Sequence, residues 1–133
     1  MRQLTVYDRL KVGAGRLIEQ LTATDVNATS NTLSAAQIAG GIVVHTSVTG
    51  AGTVTTGTAL AIIAGSAGVG ALKKDGECIK CYYINDGDQT LTLAGGTDVT
   101  ISDTAQTIAA DEAAMLIFKR ASATTVTCYV LGA

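Results

Sequence analysis

Six short runs of strand-forming residues between residues 77 and 131 constrain the fold of this chain more than any other feature. The runs are ECIKCYYIN, QTLTLAGG, DVTIS, QTIAA, AAMLIFKRA and TTVTCYVLG, and Asn, Asp or Gly lies between most of them. Regularly spaced short strands with turn residues between them are typical of a sandwich or a small barrel. The sequence therefore predicts an all-β fold, and more narrowly an antiparallel β-sandwich of jelly-roll-like form.

The composition agrees with a β domain. Apolar residues make up 47% of the chain but aromatic residues only 4%, with no Trp and a single Phe. Ala, Val, Ile and Leu must therefore fill the core, with Thr on the pleated surface. A chain of 133 residues suits one domain that buries about two-thirds of its unfolded surface.

The middle of the chain predicts one or two short helical turns beside a strand. Ser34 can cap a turn over residues 35–39 that Gly40 and Gly41 end. The other elements expected here are a strand over 42–47, a loop over 49–57, and a short apolar helix or buried turn over 58–64.

The first thirty residues are expected to lie outside the domain. TVYDRLKVGAGRLIEQL has no sustained period, and the polar run TATDVNATSNT, residues 22–32, is typical of a linker. Four of the nine cations fall within the first sixteen residues: Arg2, Arg9, Lys11 and Arg16. We therefore expect an extended arm and linker over residues 1–30, dispensable for folding, and a β-sandwich domain over residues 31–133.

One predicted strand is apolar on both of its faces. In MLIFKR, Met115 and Ile117 share one face, and the two residues that alternate with them share the other. A strand of this kind is buried on both sides, and in so small a domain a second subunit is the simplest cover. The residues predicted to form the core or a trimer interface are Leu116, Phe118, Tyr129 and Leu131.

Charge and hydropathy exclude two classes of partner. A net charge of −2 and a pI near 5.1 argue against a nucleic-acid-binding surface. The most apolar run, residues 59–72, is too short and glycine-rich for the ~20 residues of a membrane span. We therefore expect no nucleic-acid or membrane partner.

The stretch Asn85-Asp86-Gly87-Asp88 allows two interpretations, a calcium loop or a hairpin turn. An EF-hand loop alternates oxygen ligands over twelve residues and ends on a bidentate Glu. Counted from Asn85, Leu91 and Leu93 occupy ligand positions and Gly96 the last one. An Asp-Gly connection between strands is a strong hairpin signal, so a turn is favoured and no metal site is predicted.

The three cysteines do not complete a recognisable site. Cys78 and Cys81 form one CxxC, but a zinc site needs two more ligands and only Cys128 and His45 remain. The motif also falls inside a strand, so its sulfurs point to opposite faces. We interpret the cysteines as small hydrophobes with free thiols, in a chain made in a reducing cytoplasm.

Two glycine-rich motifs are equally incomplete. Residues 65–70, GSAGVG, lack the strand before and the helix after that define a phosphate loop. Ser66 resembles a nucleophile elbow, but His45 precedes it, the wrong order for an α/β-hydrolase. His45 is expected at the surface or an interface. No catalytic residue, cofactor or small-molecule substrate is predicted.

Four segments follow one another from residue 33 to the end: SAAQIAGGIVVHT, TALAIIAGSAGVG, CYYINDGDQTLTLAGGTDVTI and AMLIFKRASATTVTCYVLG. In this order they resemble a family of small phage virion proteins, which are capsid-decorating or fibre-associated β domains. The segments SVTGAGTVTTG and ALKKDGE depart from the family pattern. The resemblance implies trimers of sandwich-like subunits without catalysis, and it carries over no functional residue.

The sequence thus predicts a structural virion protein. The first hypothesis is a homotrimeric capsid decoration (cement) protein, made in the host cytoplasm, that binds the outer surface of an assembled phage head. Its partner would be the major capsid protein, whose acidic patches the arm cations would contact. The alternative is a head- or tail-fibre knob domain that binds a host glycan, but glycan sites expose aromatic rings and this chain has four Tyr and one Phe. An enzyme ranks third.

Overall fold

A computed structural model describes residues 10–13, 16–47, 49–102 and 106–132. Over these residues, twelve strands form a six-stranded sheet, a four-stranded sheet and a two-stranded hairpin, and two short helices accompany them. The all-β prediction is therefore confirmed as a mainly β fold.

The elements of each sheet come from both halves of the chain. The six-stranded sheet contains β3 (Thr22–Asn27), β5 (Gly41–Thr46), β7 (Cys78–Asn85), β9 (Val99–Ile101), β11 (Ala113–Arg120) and β12 (Val126–Leu131). The four-stranded sheet contains β4 (Asn31–Leu33), β6 (Gly52–Thr56), β8 (Leu91–Ala94) and β10 (Thr107–Ile108). The hairpin is β1 (Leu10–Gly13) with β2 (Arg16–Glu19), and the helices are α1 (Ala35–Gly40) and α2 (Ala59–Ala64). The strand orders are β3-β5-β7-β11-β12-β9 and β10-β8-β6-β4.

Both sheets are mixed, which corrects the prediction of an antiparallel sandwich. β3, β5 and β7 run parallel to one another, whereas β11 is antiparallel to both β7 and β12. From β3 to β11, successive strands alternate between the two sheets. A chain that crosses to the other sheet and returns can place its next strand parallel to the last. β11 and β12 follow each other directly within one sheet, so they are antiparallel.

Both short helices begin at a capping side chain, and the cap of α1 is the predicted one, Ser34. The Ser34 side chain accepts a hydrogen bond from the Gln37 backbone N–H, and the Gln37 side chain accepts one from the Ser34 N–H. This reciprocal pair is a capping box. Gly41 ends α1 with φ 94°, a conformation that glycine adopts without strain. Thr58 caps α2 by accepting from the Ala61 N–H.

The buried side chains of both sheets form one core. The four-stranded sheet contributes Leu33, Val54, Leu91, Leu93 and Ile108, and the six-stranded sheet contributes Val43, Cys81, Tyr83, Ala114, Leu116, Phe118, Val126 and Cys128. Ile38 of α1 and Ile62 of α2 belong to the same cluster. Burial of this apolar surface is the main force that holds the sheets together.

The expectation of a linker over residues 22–32 is wrong. Residues 22–27 form β3, which pairs with β5 along its whole length, and residues 31–33 form β4. The run is polar because β3 is an edge strand with one neighbour, and charged or polar side chains are usual there. The loop expected over 49–57 likewise contains β6.

The predicted arm cations fall partly inside the described residues. Lys11 lies in β1 and Arg16 in β2, where the backbone pairs them with Ile18 and Gly13. Arg2 and Arg9 lie outside the described residues.

Candidate interaction surface

The side of the six-stranded sheet that points away from the core, here called the outer face, is apolar over its four central strands. Its members are Ile42, Val44, Tyr82, Ile84, Met115, Ile117, Tyr129 and Leu131. The residues that alternate with them are buried in the core or packed against it. Strand alternation therefore directs these eight side chains outward.

The backbone register places the outer-face side chains in rows across the sheet. Tyr82 pairs with Met115, which pairs with Leu131 on its other side. One step along, Ile117 pairs with Tyr129. Leu131 is 48% exposed, and an open groove of about 450 Å³ runs beside Met115 and Ile117. A single chain thus leaves a continuous apolar surface partly open to solvent.

The four-stranded sheet has an outward side of the opposite character, here called the threonine face. It carries Thr32, Thr53, Thr55, Thr92 and Thr107. Thr92 pairs with Thr53 on one side and with Thr107 on the other, and all three are exposed. A sheet with one solvated face normally has apolar residues inward and polar residues outward. The threonine face follows that rule and the outer face does not.

Two lysines lie over tyrosine rings at one end of the outer face. The Lys80 ammonium is 5.7 Å from the centre of the Tyr82 ring, and that of Lys119 is 5.3 Å from the Tyr129 ring. The hydrogen bond with Tyr129 raises the pKa of Lys119. Cations over aromatic faces are attracted to the ring electrons, so these lysines give the apolar surface a charged margin.

The two ends of the six-stranded sheet differ in charge. At the end where β7 stops and β11 starts, here called the acidic end, the turns carry Asp86, Asp88, Asp111 and Glu112. The opposite end, here called the basic end, carries Lys73, Lys74, Lys119 and Arg120, together with Asp75, Glu77 and Asp98. Because β3 runs parallel to β7, the chain enters β3 from the basic end. The chain segment that leads into β3 therefore joins the sheet at that end.

His45 is fully buried, which corrects its expected position at the surface or an interface. Its Nε2 lies 2.7 Å from the Ala28 carbonyl oxygen, an acceptor, so Nε2 donates. Its Nδ1 lies 2.7 Å from the Tyr83 hydroxyl oxygen. In the neutral ring, Nδ1 accepts the hydrogen bond that the Tyr83 O–H donates. The Asn31 amide donates to the same hydroxyl oxygen over 3.1 Å. Burial raises the pKa of Tyr83 to about 12.

The stretch at residues 85–88 is a connection, as predicted, but it is not a hairpin turn. β7 and β8 belong to different sheets, so the segment crosses between them. Buried Asn85 stabilises this connection through its side chain. Its amide nitrogen donates to the backbone carbonyls of Gln89, Ile108 and Ala109. Its side-chain oxygen accepts a hydrogen bond from the Gly87 N–H. The side chain that suggested a calcium ligand is fully used by the backbone.

The strand positions of the three cysteines determine which of them are buried. Cys81 and Cys128 are buried in the core, and Cys78 is exposed. Burial, with a smaller contribution from nearby Cys81, raises the pKa of the Cys128 thiol to about 12. The interpretation as small hydrophobes holds for the two buried thiols and not for Cys78.

The four residues predicted to form the core or a trimer interface separate into two pairs. Leu116 and Phe118 are buried in the core between the sheets. Tyr129 and Leu131 lie on the outer face. The sequence reasoning missed the network around His45, although a signal existed: strand alternation in GIVVHT places His45 on the same side as Val43.

In the described part of the chain, no group of three or more His, Cys, Asp or Glu side chains is arranged to hold a metal ion. No helix among these residues is long and apolar enough to cross a membrane. Comparisons of the chain with family models, curated proteins and solved structures found no match.

Proposed function

We propose that this protein is a structural virion protein, a capsid decoration (cement) protein that binds the outside of an assembled phage head as a homotrimer. Each subunit is a sandwich of jelly-roll-like form, with the two sheets around the shared core. The resemblance of residues 33–131 to small phage virion proteins supports the virion location.

The unequal charge of the two ends, with cations grouped at only one of them, is the observation that carries the proposal. A protein that decorates a shell needs two unlike ends, because one end contacts the shell and the other faces solution. The basic end, together with the cations of the first sixteen residues, fits an acidic patch on the major capsid protein. In a cyclic trimer all three basic ends point the same way, so three weak contacts act together through effective concentration.

Stabilisation of the head follows from selective binding. A trimer that contacts neighbouring capsid subunits binds the assembled shell and not its separated subunits. By mass action, a ligand of one state stabilises that state. The protein therefore opposes disassembly without any chemical step.

Binding to undecorated heads tests the proposal. Heads assembled from the capsid protein of the same genome are mixed with the protein and sedimented at increasing salt. We expect binding to weaken as salt rises, because exposed charges are screened. Replacing two arm cations, Lys11→Gln with Arg16→Gln, should weaken it at least about tenfold, about 1.4 kcal/mol.

A charge-matched variant provides the control. Gln89→Glu with Thr90→Glu lowers the net charge by the same two units, but at the acidic end. Its binding to heads should equal that of the wild type. If both double variants weaken head binding equally, only the overall charge of the protein matters. If the arm variant binds heads as the wild type does, the proposed orientation is contradicted.

One observation favours the alternative, a fibre knob domain that binds a host glycan. Tyr82 and Tyr129 both lie on the outer face, beside Lys80 and Lys119. Aromatic rings next to polar side chains are suitable platforms for sugar rings. Binding on a glycan array that is lost in Tyr82→Ala, without binding to heads, would favour this second function.

A further inference from the structure

We propose that the outer face is the surface through which subunits of this protein bind one another, so that its occupant is the outer face of neighbouring copies. The inference takes the number of subunits, three, from the proposed function. The surface itself is inferred from its composition, extent, shape and charge.

The two outward sheet surfaces of the same subunit differ in composition. The threonine face presents hydroxyl groups that hydrogen-bond to water, whereas the outer face presents Ile, Val, Met, Leu and Tyr side chains. Both lie on sheets that share one core, so the fold itself does not require the outer face to be apolar. An apolar surface of this kind on one sheet marks an interaction site.

The extent of the outer face is sufficient for the centre of a subunit contact. With strands about 4.8 Å apart and about 3.3 Å per residue, the four central strands cover roughly 20 Å by 23 Å, or about 450 Å² in projection. The accessible area is larger because side chains project from the sheet. Stable interfaces bury about 800 Å² of each partner. The outer face therefore supplies the centre of this area, and the polar side chains around it supply the rest.

The outer face carries a projection and a groove that complement each other. Leu131 is its most exposed large apolar side chain, at 48%. The groove of about 450 Å³ is lined by Met115, Ile117, Cys78, Ile79 and Lys80, and it has ample room for a leucine side chain. Leu131 pairs with Met115 at the border of the groove but does not line it, so it projects beside the groove, and in the proposed contact Leu131 of one copy enters the groove of the next copy.

The charges at the margin favour the same arrangement. Asp25 of β3 is exposed at one edge of the sheet, beside Val44. Lys119 lies on the other half of the sheet, over Tyr129. A contact between unlike sides brings carboxylates and ammonium groups into one interface, whereas a contact between like sides repeats the same charge. Contacts between unlike sides close into a ring when the rotation between copies is a whole fraction of a turn, and a rotation of one third gives a trimer.

The mass of the full-length chain in solution tests this inference. Light scattering at micromolar concentration should give three times the 13.4 kDa of one chain. Ile117→Glu, in the middle of the outer face, should lower the mass to that of the monomer. Thr92→Glu, in the middle of the threonine face, is the matched control and should keep the assembled mass. Circular dichroism confirms that each variant is folded.

A second variant keeps the test decisive if Ile117→Glu fails to fold. Leu131→Glu lies at the end of β12 and changes an exposed side chain, so the subunit should fold and associate at least about tenfold more weakly. The inference is overturned if both outer-face variants keep the wild-type mass, if Thr92→Glu dissociates to the same degree, or if the wild type is a monomer.

Head binding, measured on the same samples, separates this inference from the proposed function. If the wild type assembles through the outer face but does not bind heads, the result contradicts the proposed function alone. If the wild type binds heads and both outer-face variants have the same mass in solution as the wild type, the result contradicts the inference alone. A third outcome is a monomeric wild type that binds heads and loses this binding in Ile117→Glu. The outer face would then bind the capsid protein, and that result overturns the inference.

Discussion

At the scale of single residues, the hydrogen bonds of His45 attach an edge of the domain to its centre. The ring bonds the Ala28 carbonyl, which follows β3, and the Tyr83 hydroxyl on the central strand β7. Asn31 completes the set at the same hydroxyl. Each of these polar groups has a partner, and His45 and Tyr83 are fully buried. Loss of the Tyr83 hydroxyl leaves the buried His45 Nδ1 without a partner in a place that water does not reach.

We therefore expect Tyr83→Phe to lower the free energy of unfolding by about 1–3 kcal/mol, since it leaves His45 Nδ1 and the Asn31 amide without that partner. Urea unfolding followed by circular dichroism measures the change. Tyr82→Phe is the matched control, because its hydroxyl lies on the partly exposed outer face, and its effect should stay within about 0.5 kcal/mol. Equal effects of the two variants would contradict the role assigned to the network.

The buried thiol of Cys128 makes stability depend on alkaline pH. Its pKa is raised to about 12 in the folded chain, against about 8.5–9 for an exposed cysteine. The folded thiol keeps its proton where the unfolded thiol loses it, so stability is full below the unfolded pKa and falls as pH rises toward the folded one. Between pH 9 and pH 10 this group should cost about 1 kcal/mol.

Unfolding curves of the wild type and of Cys128→Ala at these two pH values check the expectation. The variant will be less stable throughout, because it loses packing in the core. Its stability should nevertheless decline less steeply with pH than that of the wild type. Parallel declines would show that Cys128 does not contribute to the alkaline dependence.

At the scale of elements, β3 determines how much of the amino terminus belongs to the fold. It pairs with β5 from Thr22 to Asn27, Val26 packs against the core, and the Ala28 carbonyl just beyond it accepts from His45. An arm that ends at residue 30 would include this strand. The part that can be removed without loss of pairing in the six-stranded sheet ends before Thr22.

Two truncations test this boundary. A chain that begins at residue 21 should keep the wild-type melting temperature. A chain that begins at residue 31 loses β3 and should melt several degrees lower, as a loss of about 1–2 kcal/mol implies. Calorimetry measures both. Equal melting temperatures for the two truncations would restore the original expectation of a dispensable arm over residues 1–30.

At the scale of the whole molecule, two asymmetries coincide. One runs across the sheets, from the threonine face to the apolar outer face. The other runs along the strands, from the acidic end to the basic end. In the two proposals above, the apolar side binds other copies of the subunit and the basic end binds an acidic surface. The two proposals above assign one asymmetry each, so separate experiments test them.

The sequence by itself determined the local features of this protein. Ser34 and Gly41 marked the two ends of α1, because a cap acts within a few residues of itself. The alternation around Met115 and Ile117 placed these residues opposite Leu116 and Phe118, because strand side chains alternate whatever the sheet. These signals concern neighbours in the chain, so they could be read without the fold.

Only the tertiary structure decided how the strands pair and what their surroundings are. The polar residues 22–27 and the run 52–56 become strands because β5 and β8 offer them an edge, and propensity alone cannot supply that partner. Parallel pairing follows from a chain that alternates between two sheets. The hydrogen bonds of His45 and Asn85 join groups that are distant in sequence. These features depend on long-range contacts, whose free energy no local pattern encodes.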